Sequence, residues 1–353
     1  MALPNCKYLF GNIHMYAVMI FLGVIAALFV SISEEKRKKL PKDTVVDFVI
    51  WAIPLGIIGT RLYYVLFNLS YFLKNPIEIL YIWNGGLAIY GGIIAGFLVM
   101  VVFCKKRKIK LAIMLDTVVC GVVLAQAIGR WGNYFNVEAF GREVINESFQ
   151  FFPFAVLVPK NGDYVWHMAT FFYEFVWNIL SFALIWLNRK KLKKDGDAFL
   201  FYLLLYGAGR SVIEGLRTDS LYIGAYRVSQ LLSIIMWLIS AFVFIYRFYK
   251  TNKNSFLISG LPIMYLIGFY SIAQKNNYIF YIIIITIFLL VVYTLIKLKL
   301  NVGIIIFNTL ILFTVYLIYI KQAFELSQLV LLTSLIVFVL SIYNFTFELP
   351  KGV

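Results

Sequence analysis

Charge is scarce in this sequence. Only 14% of its 353 residues are Asp, Glu, Lys or Arg, against about 25% in an ordinary soluble domain. A water-soluble fold must cover its surface with polar groups, and a chain that is 62% apolar and 18% aromatic lacks them. Cysteine is scarce too. Cys6, Cys104 and Cys120 are too few and too scattered for a disulfide framework or a zinc site. The two histidines, His14 and His167, lie too far apart to form a metal motif. A cleavable secretory signal is also missing, because the apolar run at 16–30 follows no basic segment and is itself followed by one. What remains is a polytopic membrane protein.

Acidic residues number 17 against 32 basic ones, a formal net charge of +15. In a soluble protein that imbalance points to nucleic acid, but in a membrane protein the cytoplasmic excess of Lys and Arg accounts for it. No nucleic-acid partner is expected. Apolar runs predict about eleven spans, at 15–33, 45–67, 86–104, 111–129, 167–188, 198–214, 227–246, 256–272, 278–296, 302–320 and 328–345. The linkers after the odd-numbered spans carry Lys36-Arg37-Lys38-Lys39 with Lys42, Lys105-Lys106-Arg107-Lys108 with Lys110, Arg189-Lys190-Lys191 with Lys193-Lys194, Arg247 with Lys250 and Lys253, and Lys297 with Lys299. With Lys351 these are most of the basic residues, and all fall on one side if the N-terminus is outside and the C-terminus is cytoplasmic. The expected fold is an all-α transmembrane helix bundle.

Two outer connections are long, 68–85 and 130–166. The second contains Pro153, Pro159 and Asn161-Gly162-Asp163, which predict an irregular, turn-rich segment. The last four spans hold almost no ionisable residues, unlike the first seven. Two modules are therefore expected, 1–253 and 254–353.

Several polar groups sit where a membrane span should have none, and a charge at a helix centre costs about 2.5–3.5 kcal/mol on translocon scales. Arg130 and Asn133 share a face if the fourth helix continues past 129, with Gly129 and Gly132 beside them and Glu138 beyond. Tyr206, Arg210, Glu214 and Arg217 form one stripe of the sixth span. Two arginines against one glutamate leave a surplus cation that wants an anion. His167 and Glu174 are seven apart and share a face if the fifth span opens at His167. A lone interfacial histidine can equally be a hydrogen-bonded structural group. Asn84-Gly85-Gly86 and Tyr90-Gly91-Gly92 open the third span, where backbone N–H groups favour an anion, although glycine also serves close helix packing. The topology puts all four groups at the outer face, and the abundant anion there is a phospholipid.

At these residues the chain resembles the prolipoprotein diacylglyceryl transferase family over about 10–250. The resemblance rests on Gln126-Ala127-Ile128-Gly129-Arg130-Trp131-Gly132-Asn133 with Glu138 and Gly141. It also rests on Gly59-Thr60-Arg61-Leu62-Tyr63-Tyr64, on the Gly85–Gly92 segment and on the Tyr206–Arg217 stripe. The resemblance implies transfer of a diacylglyceryl group from phosphatidylglycerol to the lipobox cysteine thiol of preprolipoproteins, in the bacterial cell membrane with the site toward the outer leaflet. No metal or organic cofactor is implied. Arg130 and Arg210 would stabilise the leaving phosphate. Asn133, Glu138, Gly141, Glu214, Arg217, Gly91, Gly92 and Tyr16 would bind substrate, and Tyr90, His167 and Tyr206 are candidates to take the thiol proton. Many relatives carry His where this chain has Tyr90, and His-Pro where it has His167-Met168. A phospholipid or anion transporter and an inactive scaffold relative are the alternatives.

Overall fold

The computed structural model describes residues 7–9, 13–160, 162–224, 226–251, 260–274, 277–297, 301–319 and 324–343. It is an all-α bundle with two small hairpins. The helices are α1 (Met15–Arg37), α2 (Thr44–Phe67), the single turn α3 (Leu69–Phe72), α4 (Ile89–Arg107), α5 (Leu111–Asn136), α6 (Thr170–Asn188), α7 (Asp197–Leu216), α8 (Val228–Thr251), α9 (Leu261–Ala273), α10 (Asn277–Lys297), α11 (Asn301–Tyr319) and α12 (Phe324–Tyr343). Strands β1 (Ala155–Lys160) and β2 (Asp163–Met168) form one hairpin, β3 (Tyr222–Ile223) and β4 (Tyr226–Arg227) the other. Among the described residues, nine helices are long and apolar enough to cross a membrane. In lipid every backbone polar group must be satisfied within the segment, which is why such apolar runs become helices. The other two predicted spans correspond to α9, at 13 residues, and to the apolar stretch Thr309–Ile318 of α11. The start of the predicted eighth span at 256–259, the module boundary at 253/254, Cys6, Lys253, Lys299 and Lys351 lie outside the described residues.

The chain divides into two compact units. The smaller comprises 23–125 and 194–199, that is, most of α1, α2 to α4, the first half of α5 and the start of α7. Buried acids organise its helix ends. The Glu35 carboxylate accepts from the backbone N–H groups of Asp43 (3.1 Å) and Val45 (2.6 Å), which caps α2. Asp116 accepts from Gly196 and Phe199, both at 2.9 Å, and pairs with Lys38 at 3.2 Å, so it caps α7 from α5. Helices α2 and α4 touch backbone to backbone: a side-chain carbon at Gly59 would lie 2.7 Å from the Gly91 carbonyl oxygen. Only glycine permits that approach.

The larger unit holds residues 1–22, 126–193 and 200–353. Here the segment after Arg130 departs from the expected irregular loop in two ways. Helix α5 runs on to Asn136, and 155–168 form a regular antiparallel hairpin with Gly162 at φ 94° in its turn. The sequence Asn161-Gly162-Asp163 is a hairpin turn signal rather than a loop signal. Val156 and Val158 alternate inward onto Tyr134 and Phe171, and burying that face fixes the strand. Helix α12 packs against α8, α9 and α11. It is tied to α9 by Tyr265 and Ser334 (2.9 Å) and by a bond from Gln328 Nε2 to the Phe269 carbonyl (3.2 Å).

Candidate active site

The last turns of α5 carry Arg130 and Asn133 on one face, as the continued helix requires. An Arg130 Nη donates to Asn133 Oδ1 (3.2 Å), and Asn133 Nδ2 donates to Glu138 Oε1 (2.8 Å). Val137 and Ala139 turn left-handed immediately after the helix, at φ 57° and 58°, and this sharp reversal brings Glu138 back against Asn133. From α6 comes Glu174, whose side chain is 2% exposed. One of its oxygens lies 3.0 Å from an Arg130 nitrogen, the other accepts from Arg210 at 2.7 Å. Arg210 also lies 2.6 Å from Glu214, one turn further along α7. The Arg130–Glu174 and Arg210–Glu214 contacts are close charge pairs without an aligned hydrogen bond to Glu174 Oε1 or Glu214 Oε2. Residues from three helices and one turn thus form a continuous polar chain: Glu138, Asn133, Arg130, Glu174, Arg210, Glu214.

This chain corrects the charge count made on α7 alone. The surplus arginine there is answered by Glu174 across the helix interface and by Asp219 below it. Arg217 sits one residue past α7 and clamps Asp219 with two bonds, at 2.8 and 2.7 Å. Burial pushes the Asp219 carboxyl up, but the hydrogen bonds and charge of Arg217 outweigh it and hold the group below the usual carboxylate range. An anion arriving here meets guanidinium N–H donors already aimed by carboxylates rather than a bare excess of positive charge. Arg130 has five N–H donors, and its side chain is still 18% exposed.

His167 is not the first residue of a helix. It lies in β2, and α6 begins at Thr170, so it shares no helical face with Glu174. The hairpin takes these residues because their alternating pattern buries Val156 and Val158. His167 is 8% exposed, and its Nδ1 lies 2.8 Å from the Gly141 carbonyl oxygen. A carbonyl only accepts, so Nδ1 carries the proton and Nε2 is left as the basic nitrogen. Gly141 is the hub of this corner. Its N–H donates to the Met168 carbonyl at 2.8 Å and its backbone bridges to Arg217. A side-chain carbon there would sit 2.8 Å from Thr170 and 3.1 Å from the Leu216 carbonyl.

Tyr206 stands one turn before Arg210, its ring stacked on Tyr202 at 5.4 Å. Gln126 donates to the Tyr202 hydroxyl at 3.0 Å. The glycines of α7 admit its neighbour: at Gly209 a side chain would collide with Trp177 of α6, whose Nε1 donates to the Leu205 carbonyl at 2.8 Å. Tyr16 of α1 rests its ring over Gly132 and feels the charges of Arg130 and Glu138. Tyr90, Gly91 and Gly92 belong to the smaller unit, where Tyr90 lies 6.5 Å from the Tyr63 ring and the two glycines pack α4 against α2. Arg61 is the buried cation of that unit. It is 7% exposed and donates to the carbonyls of Glu78, Ile79, Gly85 and Gly86 at 2.5–3.1 Å, fastening the loop that leads into α4. Among the described residues, no three His, Cys, Asp or Glu side chains converge as a metal site.

Comparison with known proteins decides the family. The prolipoprotein diacylglyceryl transferase family model matches residues 6–246, well over half of the chain. The chain belongs to that family. It is 44% identical over 244 residues to a phosphatidylglycerol–prolipoprotein diacylglyceryl transferase of Streptococcus agalactiae, covering 67% of this chain and 92% of the relative. The protein of the same name from Streptococcus uberis is 47% identical over 226 residues, covering 64% and 86%. That from Streptococcus mutans is 44% identical over 237 residues, covering 67% and 91%. Every member of the polar chain lies inside the family match, Glu174 included. Helices α9 to α12 lie beyond it. Sequence reasoning undervalued Glu174, because its partners come from two other helices. The one available signal was an acid in the middle of an otherwise apolar run.

Proposed function

We propose that the protein transfers the diacylglyceryl group of phosphatidylglycerol to the lipobox cysteine of preprolipoproteins. The cysteine thiolate attacks the glyceryl carbon that bears the phosphate, a C–S bond forms and the C–O bond to phosphate breaks. The electron pair leaves with glycerol phosphate, and the product is a thioether. Negative charge grows on the departing phosphate. Arg130 and Arg210 stabilise it with N–H groups that Glu174 and Asn133 hold in place. Tyr16, Asn133, Glu138, Gly141, Glu214 and Arg217 shape the headgroup pocket. From the family resemblance, Gly91 and Gly92 at the start of α4 are assigned to substrate binding. The thiol proton goes to the phenolate oxygen of Tyr90 or Tyr206 or to His167 Nε2, and replacing each in turn by Phe, Phe and Gln separates them by their pH–rate profiles.

The observation that carries this proposal is the Arg130–Glu174–Arg210 arrangement within the matched segment. Topology supports it. With eleven spans, the N-terminus outside and the C-terminus cytoplasmic, the basic linkers face the cytoplasm and the site opens at the outer leaflet of the cell membrane. Purified protein mixed with phosphatidylglycerol and a lipobox peptide should yield thioether-linked peptide. Arg130→Ala should lower the rate by about 10²–10³-fold, the usual cost of one transition-state donor. Full activity in that variant would overturn the role given to Arg130. Tyr90 favours one second reading, an inactive relative. Failure of the gene to complement a strain depleted of its own transferase would support that reading.

A further inference from the structure

Helix α12 lies beyond residue 246, outside the family match, yet it walls a cavity together with helices of the matched segment. The cavity has a volume of about 350 Å³, within the range of small-molecule sites. Leu184 and Asn188 of α6, Leu205 of α7, Leu340 and Tyr343 of α12, and Lys191 of the following linker line it. Its polarity is graded. Leu205 lies eight residues into α7, about 12 Å along the axis at 1.5 Å per residue. Asn188 is the last residue of α6, Tyr343 the last of α12, and Lys191 stands exposed beside them. One end is therefore hydrocarbon and the other sits at the basic linker Arg189-Lys190-Lys191-Leu192-Lys193-Lys194. The mouth is built rather than incidental. The Lys193 backbone N–H donates to the Tyr343 hydroxyl at 2.8 Å, and the Tyr343 ring packs on Phe201 at 5.4 Å and Phe244 at 6.0 Å. Arg189 stacks over Trp186 with its guanidinium carbon 3.3 Å from the ring centre.

We propose that this cavity holds one anionic phospholipid, an acyl chain between α6, α7 and α12 and its phosphate on Lys191. The charge pattern selects this occupant. A neutral lipid would fill the apolar part equally but would gain nothing from the cationic mouth, whereas each Lys or Arg near an anionic headgroup adds about 1 kcal/mol, roughly fivefold in affinity. The bound lipid would fasten the additional helices to the matched segment. The site is separate from the transferase reaction; that its cationic mouth faces the cytoplasmic leaflet rests on the topology proposed above.

Native mass spectrometry of the full-length protein, titrated with phosphatidylglycerol or with phosphatidylcholine, tests this. The wild type should retain one more phosphatidylglycerol than Leu340→Trp, which fills the cavity, at equal lipid concentration. Lys191→Glu should weaken that extra phosphatidylglycerol by roughly fivefold or more and leave phosphatidylcholine binding unchanged. Equal retention by wild type and Lys191→Glu, or equal retention of the two lipids by the wild type, would overturn the proposal. Lys191 is exposed, so its replacement leaves the packed core untouched. If Leu340→Trp does not fold, Leu184→Trp fills the same space from α6.

Discussion

Replacing Glu174 by Gln removes the charge that two arginines share while keeping the side chain's shape. The carboxylate is 2% exposed and lies 3.0 Å from Arg130 and 2.7 Å from Arg210. After the change the amide oxygen can still accept from one arginine, and the other is left with Asn133, if it is Arg130, or with Glu214, if it is Arg210, among the described residues. One new amide N–H also faces a guanidinium donor. Removing one partner of a buried pair costs about 3–5 kcal/mol, because a charge is left buried without compensation. Arg210 is nearly enclosed, its side chain 11% exposed, so a loss near the lower bound, about 3 kcal/mol, is the expectation even for an isosteric replacement. The guanidiniums should also lose their aim. A displacement of about 1 Å at a reacting centre can cost on the order of 10²-fold in rate. As a positioning residue for these two groups, Glu174 should on replacement worsen both kcat and KM for phosphatidylglycerol. Glu174→Asp, which keeps the charge but shortens the reach, should recover part of kcat. The assays are thermal unfolding in detergent and steady-state lipidation of a lipobox peptide. If Glu174→Gln unfolds within about 2 °C of the wild type and lipidates within twofold, Glu174 does not organise the arginines.

Arg61→Met should strip the guanidinium from the carbonyls of Ile79, Gly85 and Gly86, while Glu78 keeps the Tyr81 N–H, and cost about 1–3 kcal/mol locally, seen as faster proteolysis within residues 76–86; unchanged cleavage would refute the clasp. Gly91→Ala forces a carbon into the Gly59 backbone and should destabilise the α2–α4 contact by about 1–3 kcal/mol, measurable as a lowered unfolding temperature. An unchanged unfolding temperature would show that the helices can part freely. Asp219 has its pKa depressed by Arg217, so its contribution is present above the unfolded value of about 3.9 and is lost as pH falls through the folded one. The carboxylate is 43% exposed, which keeps this below about 1 kcal/mol. Asp219→Asn should therefore flatten the fall of unfolding temperature between pH 5 and 3, and an unchanged slope would remove the pair's role.

Much of this protein could be read from order along the chain. Spans are local: an apolar run long enough to cross a bilayer must close its own hydrogen bonds, so α1, α2, α4 and most others were legible from composition alone. The motif residues Arg130, Asn133, Glu138, Arg210 and Glu214 could be named for the same reason, since a polar residue among apolar ones stands out in one dimension. The segment around His167 was not legible. Whether Ala155–Met168 pairs as a hairpin depends on Tyr134 and Phe171 being there to receive Val156 and Val158, and neither is a sequence neighbour of both strands.

The sequence by itself determined that this is a membrane protein of the transferase family and which few polar residues stand out as candidates for its chemistry, because hydropathy and motif are properties of short stretches. Only the tertiary structure decided how those charges balance. Glu174 meets Arg130 and Arg210 across two helix interfaces, Asp219 meets Arg217 beyond the end of α7, and Arg61 spends its charge on four carbonyls. Electrostatic energy in a low-dielectric interior depends on distances of a few ångströms between groups tens of residues apart. A count of charges along one helix left a surplus arginine; the folded chain supplies its partner.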